Sequence, residues 1–161
     1  MAGDATHVRI ATALDLGELM VLCQEMHEEN FVLPMSVEKV KGVLENATRP
    51  EIELRRGIIG CIGEPNCIEA AIALAIEPLW YSDEPAFQDY LNFVRLPYRN
   101  TSHSSDLIAW AKAMSDHFSI PLIAGIVSNQ RTQAKVRHYR RALGDPVGAF
   151  FIYGATTGGV H

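Results

Sequence analysis

The stretch 98-YRNTSHSSDLIAWAK-112 joins a predicted strand to a predicted helix through a loop of unusual composition. The loop carries an arginine, a histidine and four small hydroxyl residues, where plain connections favour Gly, Asn or Pro. The first turn of a helix has free backbone N–H groups and the positive end of the helix dipole, so it attracts anions. The stretch is therefore consistent with a phosphate-binding loop. It is equally consistent with a polar loop in which one serine caps the helix.

The segments on either side predict an α/β chain with the order β-α-α-β-β-β-α-β-α-β. Apolar residues recur at helical spacing in four segments, and short apolar runs bounded by turn residues predict the strands. Asp15 and Ser36 are the expected N-caps of the first two helices. The predicted strands are 8–13, 51–63, 67–78, 87–96, 120–128 and 147–154, and the predicted helices are 15–29, a segment after Ser36, 105–118 and 130–143.

Length and composition predict one ordinary folded domain, residues 1–161, with a core at about 8–153. The chain has 161 residues, 48% of them hydrophobic and 20% charged, which is typical of globular proteins. No apolar run approaches the roughly 18 residues of a membrane span. The N-terminus lacks the pattern of a signal peptide, and three cysteines do not suggest a disulfide framework. We expect a cytoplasmic protein without a membrane partner.

The charge is unevenly distributed along the chain. Residues 1–90 contain 16 acidic and 6 basic residues, whereas residues 91–161 contain 3 acidic and 8 basic residues. A basic second half suggests that this part meets an anion. The alternative is that the two sets of charges face each other or the solvent.

Two motifs in this order resemble those of the GNAT (Gcn5-related N-acetyltransferase) superfamily, over about residues 8–153. In that family a hydrophobic strand is followed by R/Q-x-x-G-x-G/A and a helix. Here the strand is 91-LNFVR-95 and the motif begins at Arg99, with Ser102 and Ser104 at the two glycine positions. The second family motif is an asparagine, a helix and a tyrosine before a closing strand, which matches Asn129 and Tyr139 in this chain.

The resemblance implies a mixed central sheet flanked by about four helices, and an acyl-CoA-dependent N-acyltransferase. The reaction would be acetyl transfer from acetyl-CoA, without a metal, by direct attack of a primary amine of a small molecule or peptide. A homodimer is possible, as in many relatives. Carried over by position, the resemblance assigns the pantetheine to Val94, Arg95 and Asn129, and the pyrophosphate to Arg99, Asn100, Thr101, Ser102, His103, Ser104 and Ser105.

Two residues are candidates for catalysis. The resemblance gives Tyr139 the role of protonating the departing thiolate, and a tyrosine with a pKa near 10 is a competent acid for that step. The alternative is a plain core tyrosine. Glu77 ends the apolar strand 68–76 and is the candidate general base, because a carboxylate at that boundary can have a raised pKa; the alternative is a solvated strand end.

Other kinds of site are not expected. The segment 27-HEENF-31 only begins like the zinc motif HExxH, and Cys61 and Cys67 have no histidine nearby in the sequence. A nucleic-acid partner is not expected, because the chain is acidic overall and its basic helix lacks an aromatic platform. The main alternative to an enzyme is a catalytically inactive GNAT-like binding or interaction module, since both motif glycines are serine.

Overall fold

The computed structural model describes residues 3–30, 33–126, 128 and 131–155. Within them the chain forms five strands and four α-helices, joined in places by single turns of 3-10 helix. The elements are β1 (Arg9–Ile10), α1 (Leu16–Asn30), α2 (Val37–Thr48), β2 (Gly57–Glu64), β3 (Cys67–Pro78), β4 (Pro85–Val94), α3 (His103–Phe118), β5 (Leu122–Ile123) and α4 (Thr132–Leu143).

The strands form one sheet in the order β1-β2-β3-β4-β5. The first four strands are antiparallel neighbours, and β5 runs parallel to β4. Gly63 lies at a β-bulge near the end of β2, just before the turn to β3, and its φ of 104° favours glycine. β3 is buried on both faces along Ala70–Ala75, which explains why its sequence is a continuous apolar run rather than an alternating one.

Two hydrophobic cores lie on opposite faces of this sheet. On one face α1 and α2 pack over residues that include Ile59, Ala71 and Leu91. On the other face α3 contributes Leu107, Trp110 and Ala111, which meet the opposite side chains of the same strands. The mixed α/β architecture predicted from the sequence is therefore confirmed.

A buried ion pair fixes the start of α1. Thr12, rather than the predicted Asp15, is the cap, and its side chain accepts a hydrogen bond from Leu14. Asp15 completes a capping box by accepting from the Thr12 amide at 2.8 Å. Its carboxylate also receives two bonds from Arg9, at 2.9 and 2.8 Å. Burial opposes ionisation, but these bonds outweigh it and hold the pKa of Asp15 below its ordinary value.

The outer strands depart from the prediction. β1 is only Arg9–Ile10 and β5 only Leu122–Ile123, both shorter than expected. The predicted closing strand 147–154 is wrong, since residues 144–155 contain no strand. A strand forms only where a neighbouring strand offers free backbone N–H and C=O groups. β5 has two residues, so it offers few such groups to a further strand. The side chains of Val147, Phe151 and Tyr153 are consequently almost fully exposed.

No helix in the described part of the chain is long and apolar enough to cross a membrane.

Candidate functional site

β4 is paired along both edges over only part of its length. It pairs with β3 from Pro85 to Val94, but with β5 only at Phe87 and Gln88. Beyond Ile123 the chain leaves the ladder, and the Gly125 amide donates to the side chain of Asp89 at 2.8 Å rather than to the β4 backbone. Residues 89–94 of β4 therefore have no strand partner on this edge within the described residues, and this open edge is called the cleft below.

A β-bulge lies at the point of separation. In the pairing with β3, Ala73 faces Leu91 and Leu74 faces Asp89, so Tyr90 has no partner on β3. Residues three apart in a regular strand point to opposite faces, and one extra residue reverses that relation. Asp89 and Asn92 consequently both face the α3–α4 side of the sheet.

Tyr139 of α4 meets these two residues in the cleft. Asn92 donates its side-chain amide to the Tyr139 hydroxyl, and the Asp89 carboxyl group lies close enough to that hydroxyl for the two groups to shift each other's pKa. Burial of the phenol, reinforced by the nearby Asp89 charge, raises the pKa of Tyr139 well above its ordinary value. The tyrosine is therefore protonated at any physiological pH, and the raised pKa makes it a weaker acid than a tyrosine in water.

Asp89 is suited to accept a proton. Burial raises the pKa of Asp89 to about 6, and the Gly125 amide offsets only part of that effect. At neutral pH the group is mostly ionised yet ready to take up a proton, which is the condition for an efficient general base. The sheet thus places a proton acceptor and a proton donor in direct contact.

The first turn of α3 can receive an anion. The amides of Ser104 and Ser105 have no acceptor among the described residues, as expected for free N–H groups at a helix start. Ser102 has φ −80° and ψ 1°, and the positive-φ non-glycine residues of the described chain are Ser119 and Arg131. Serine therefore fits the motif's glycine positions without backbone strain, and these groups suit a pyrophosphate.

Three of the four hydroxyl groups of this loop already have partners. Thr101 donates to the Tyr98 carbonyl at 2.6 Å, and Ser102 donates to Asp106 at 2.8 Å. Ser104 Oγ lies 3.0 Å from His138 Nε2. Because His138 precedes Tyr139 in α4, this last contact joins the predicted phosphate loop to the cleft.

The two arginines near the motif face the acidic end of α1. Arg95 bonds Glu25 at 2.6 Å and Glu18 at 3.1 Å. Arg99 bonds Glu29 at 2.6 Å and the Val94 carbonyl at 3.0 Å. Part of the charge asymmetry along the sequence is therefore explained by pairing between the two halves of the chain, the alternative to an anion partner.

The arginines also line a groove beside the cleft. The groove has a volume of about 600 Å³ and lies between the end of α1 and the segment that follows β4. It is lined by Glu25, Glu28, Glu29, Phe93, Arg95, Leu96, Pro97, Tyr98 and Arg99.

The structure does not bring the two predicted catalytic residues together. Glu77 is exposed and accepts a hydrogen bond from Tyr90 at 2.6 Å. Both of these residues line a pocket beside α2, on the face of the sheet opposite Tyr139. The roles of Tyr139, Glu77 and the coenzyme-binding residues stay predictions, and Asn129 lies outside the described residues.

Comparisons with known proteins bear on the fold. No protein-family model matches the sequence, and no curated protein does either. A structure of a possible acetyltransferase from Clostridium difficile 630 matches with a TM-score of 0.68, covering 92% of this chain and 96% of that one at 14% identity. The chain has the GNAT acetyltransferase fold. The resemblance drawn from the two motifs is thus confirmed at the level of the fold.

Two further structures support the same GNAT architecture. An integron cassette protein from the mobile metagenome of Cole Harbour Salt Marsh matches with a TM-score of 0.69, 96% and 93% coverage of this chain and that chain, and 17% identity. AAC(6')-Iy, solved in complex with a bisubstrate analogue of coenzyme A, matches with a TM-score of 0.66, 91% and 95% coverage, and 11% identity.

Sequence reasoning missed Asp89 and Asn92. Both lie in the predicted strand 87–96, and a regular strand would direct two residues three apart to opposite faces. The signal available was the presence of two polar side chains inside an apolar strand, 87-FQDYLNFVRL-96. A buried polar residue in a strand needs a partner, and here the partner is Tyr139.

Proposed function

We propose that this protein is an acyl-CoA-dependent N-acyltransferase that transfers an acetyl group from acetyl-CoA to a primary amine. One observation carries the proposal: Asp89, Asn92 and Tyr139 meet in the cleft where β4 and β5 separate. A proton acceptor and a proton donor then lie together beside an anion-binding helix start. The GNAT fold of the chain agrees with this reaction.

The coenzyme would lie along the cleft. Acetyl-CoA supplies an acyl group activated as a thioester. The open edge of β4 up to Val94 offers backbone groups to the pantetheine, while the Ser104 and Ser105 amides offer donors to the pyrophosphate. Asn100, Thr101 and His103 complete the loop around the same helix start.

Two proton transfers accompany the exchange of bonds. A C–N bond forms as the amine attacks the thioester carbon, and the C–S bond breaks. Asp89 takes the proton that the nitrogen loses, and Tyr139 donates a proton to the departing sulfur. The proton held by Asp89 then passes to the neighbouring Tyr139, which restores both groups. Asp89 thereby replaces Glu77 as the proposed base.

The acidic end of α1 suits a cationic acceptor. Three carboxylates line the groove beside the cleft, and Arg95 and Arg99 neutralise Glu25 and Glu29. Glu28 is the remaining carboxylate, and it would attract a protonated amine by long-range electrostatics. We propose a small-molecule or peptide amine as the acceptor class.

Transfer is tested by incubating the protein with acetyl-CoA and a panel of polyamines, aminoglycosides and lysine peptides. Thiol release and the mass of the product report the reaction. The expected result is acetylation of at least one amine above the rate without enzyme, with a matching release of free thiol. Tight coenzyme binding without transfer to any amine would instead support the inactive binding module. Absence of both binding and transfer would contradict the proposal.

A further inference from the structure

A histidine pair and a carboxylate meet where the N-terminal segment crosses the first turn of α3. His7 ends a 3-10 turn, and His103 and Asp106 belong to α3. One potential ligand atom from each lies within 4.8 Å of the other two. His7 Nε2 is 4.0 Å from the Asp106 carboxylate, and the two imidazole rings are 5.5 Å apart between centroids. None of these side chains belongs to the proposed transfer cluster.

His103 has one ring nitrogen without a partner. Its side chain is only 8% exposed. Nε2 lies 2.5 Å from Glu69 Oε2, whereas Nδ1 is buried without a hydrogen-bond partner among the described residues. A buried polar atom left unpaired is costly, so such an atom in a folded protein calls for a ligand.

The bond to Glu69 prepares that free nitrogen to coordinate a metal. Histidine ligands usually give their second ring N–H to a carboxylate, which fixes the tautomer and makes the other nitrogen a better ligand. A neutral imidazole that gives Nε2–H to Glu69 carries its lone pair on Nδ1. Since Nε2 is directed at Glu69, Nδ1 is the nitrogen available to a shared ion.

Asp106 is held in place by neutral donors. Its side chain is 2% exposed, and it accepts hydrogen bonds from the Asp4 amide and the Ser102 hydroxyl, both at 2.8 Å. A buried carboxylate needs a counter-charge, and the nearest cationic candidate is His7. A divalent ion at this point would supply that charge.

We propose that His7, His103 and Asp106 form a binding site for Zn²⁺. Two imidazoles and one carboxylate are a zinc ligand set, with the fourth tetrahedral position left for water. Mg²⁺ and Ca²⁺ prefer oxygen ligands and do not suit two imidazoles. Tetrahedral bonds of about 2.0–2.1 Å require donors roughly 3.4 Å apart. His7, whose side chain is 48% exposed, is free to close that distance.

The ion would fasten the N-terminal segment to α3. Gly3 already lies so close to Ser105 that a Cβ on it would meet the Ser105 carbonyl oxygen at 1.9 Å. The site joins residues about a hundred positions apart, so no local spacing in the sequence reveals it. This proposal does not depend on the transfer reaction.

Metal titration tests the site directly. Chelator-treated protein of residues 1–161 carrying Cys67→Ser, which removes the exposed thiol, is titrated with Zn²⁺ in competition with a chromogenic chelator. The expected result is one ion bound with a dissociation constant tighter than a micromolar, with no competition from excess Mg²⁺. Co²⁺ in place of Zn²⁺ should give the visible absorption of a tetrahedral site.

Variants separate this site from unspecific binding. His7→Ala should weaken Zn²⁺ binding at least tenfold, and Glu69→Gln should weaken it about 10- to 100-fold through the tautomer of His103. His117→Ala, at an exposed position late in α3, is the matched control and should bind as the parent does. His7 is half-exposed, so its loss should leave the metal-free protein folded. No uptake by the parent, or equal uptake by His7→Ala, would overturn the proposal.

Discussion

The two edges of β4 differ in how far they are paired with a neighbouring strand. The edge facing β3 is bonded along the whole strand, while the edge facing β5 is bonded only at Phe87 and Gln88. Phe87 at the closed end is fully buried, whereas Asp89 and Asn92 at the open end hold polar contacts with Tyr139. The continuous edge gives the fold its rigidity, and the interrupted edge leaves backbone and polar groups available for a ligand.

The largest stability effect is expected at the closed end of β4. Phe87→Ala removes a side chain that is 0% exposed and leaves a cavity beside α3, so it should lower the free energy of unfolding by about 3–5 kcal/mol. Urea denaturation of the parent and the variant measures the difference. A loss of less than about 1 kcal/mol would mean that the closed end is not a packed core.

The base at the open end should control the rate and its pH dependence. Burial raises the pKa of Asp89 to about 6, so the rate should fall as the pH drops through that value and the base is protonated. Asp89→Asn should lower turnover about 100- to 10,000-fold and abolish this acid limb. An unchanged pH profile in the variant would rule out Asp89 as the base.

The same substitution should not cost stability. A carboxyl group whose folded-state pKa lies above its unfolded value near 3.9 destabilises the fold increasingly as the pH rises from about 4 to 6. Asn removes the buried charge while still accepting from the Gly125 amide. At neutral pH, Asp89→Asn should therefore melt at the same temperature as the parent or higher. Lost activity together with lost stability would instead indicate a structural role.

The acid should have a smaller effect than the base. Tyr139→Phe removes the donor to the departing sulfur, and because a thiolate leaves readily we expect a loss of about 100-fold in turnover, the low end for general acids. Coenzyme affinity should be nearly unchanged. The exposed Tyr153 is the matched control, and Tyr153→Phe should be as active as the parent. Equal activity of Tyr139→Phe would show that the tyrosine is a packing residue only.

The smallest effect is expected in the C-terminal segment. Phe151 is 94% exposed, so Phe151→Ala should change the free energy of unfolding by no more than about 0.5 kcal/mol. Phe87→Ala and Phe151→Ala make the same chemical change at a buried and at an exposed position. A loss at Phe151 as large as that at Phe87 would show that residues 147–153 pack as a strand after all.

The elements of the continuous part of the sheet could be predicted from the sequence. The first three helices have apolar residues at helical spacing, β3 is a continuous apolar run, and Ser36 caps α2 as expected. Of the predicted strand 51–63, only the part from Gly57 is a strand. The segment 147-VGAFFIYG-154 has an equally strand-like composition but lacks a partner edge, which composition does not report. Strand pairing depends on the tertiary structure, so the absence of a strand at 147–154 could not be predicted from local residue patterns.

Only part of the candidate site could be predicted from the sequence. The spacing from Arg99 to the start of α3 and the position of Tyr139 follow the family motifs, so the loop and the acid could be named. The bulge at Tyr90 cannot be read from residue types, and without it Asp89 and Asn92 point to opposite faces. Glu77 was chosen as the base because it ends an apolar strand, a rule that ignores which face the side chain occupies.

The proposed transfer reaction depends most directly on whether acetyl-CoA binds at the first turn of α3. Titration calorimetry should compare the parent with Ser104→Glu and Ser104→Gln. Glu in the first turn favours the helix but repels a pyrophosphate, while Gln has the same shape without the charge. Micromolar binding by the parent, retained by Gln and lost with Glu, is the predicted result. No binding by the parent at millimolar coenzyme, or equal binding by the Glu variant, would contradict the account.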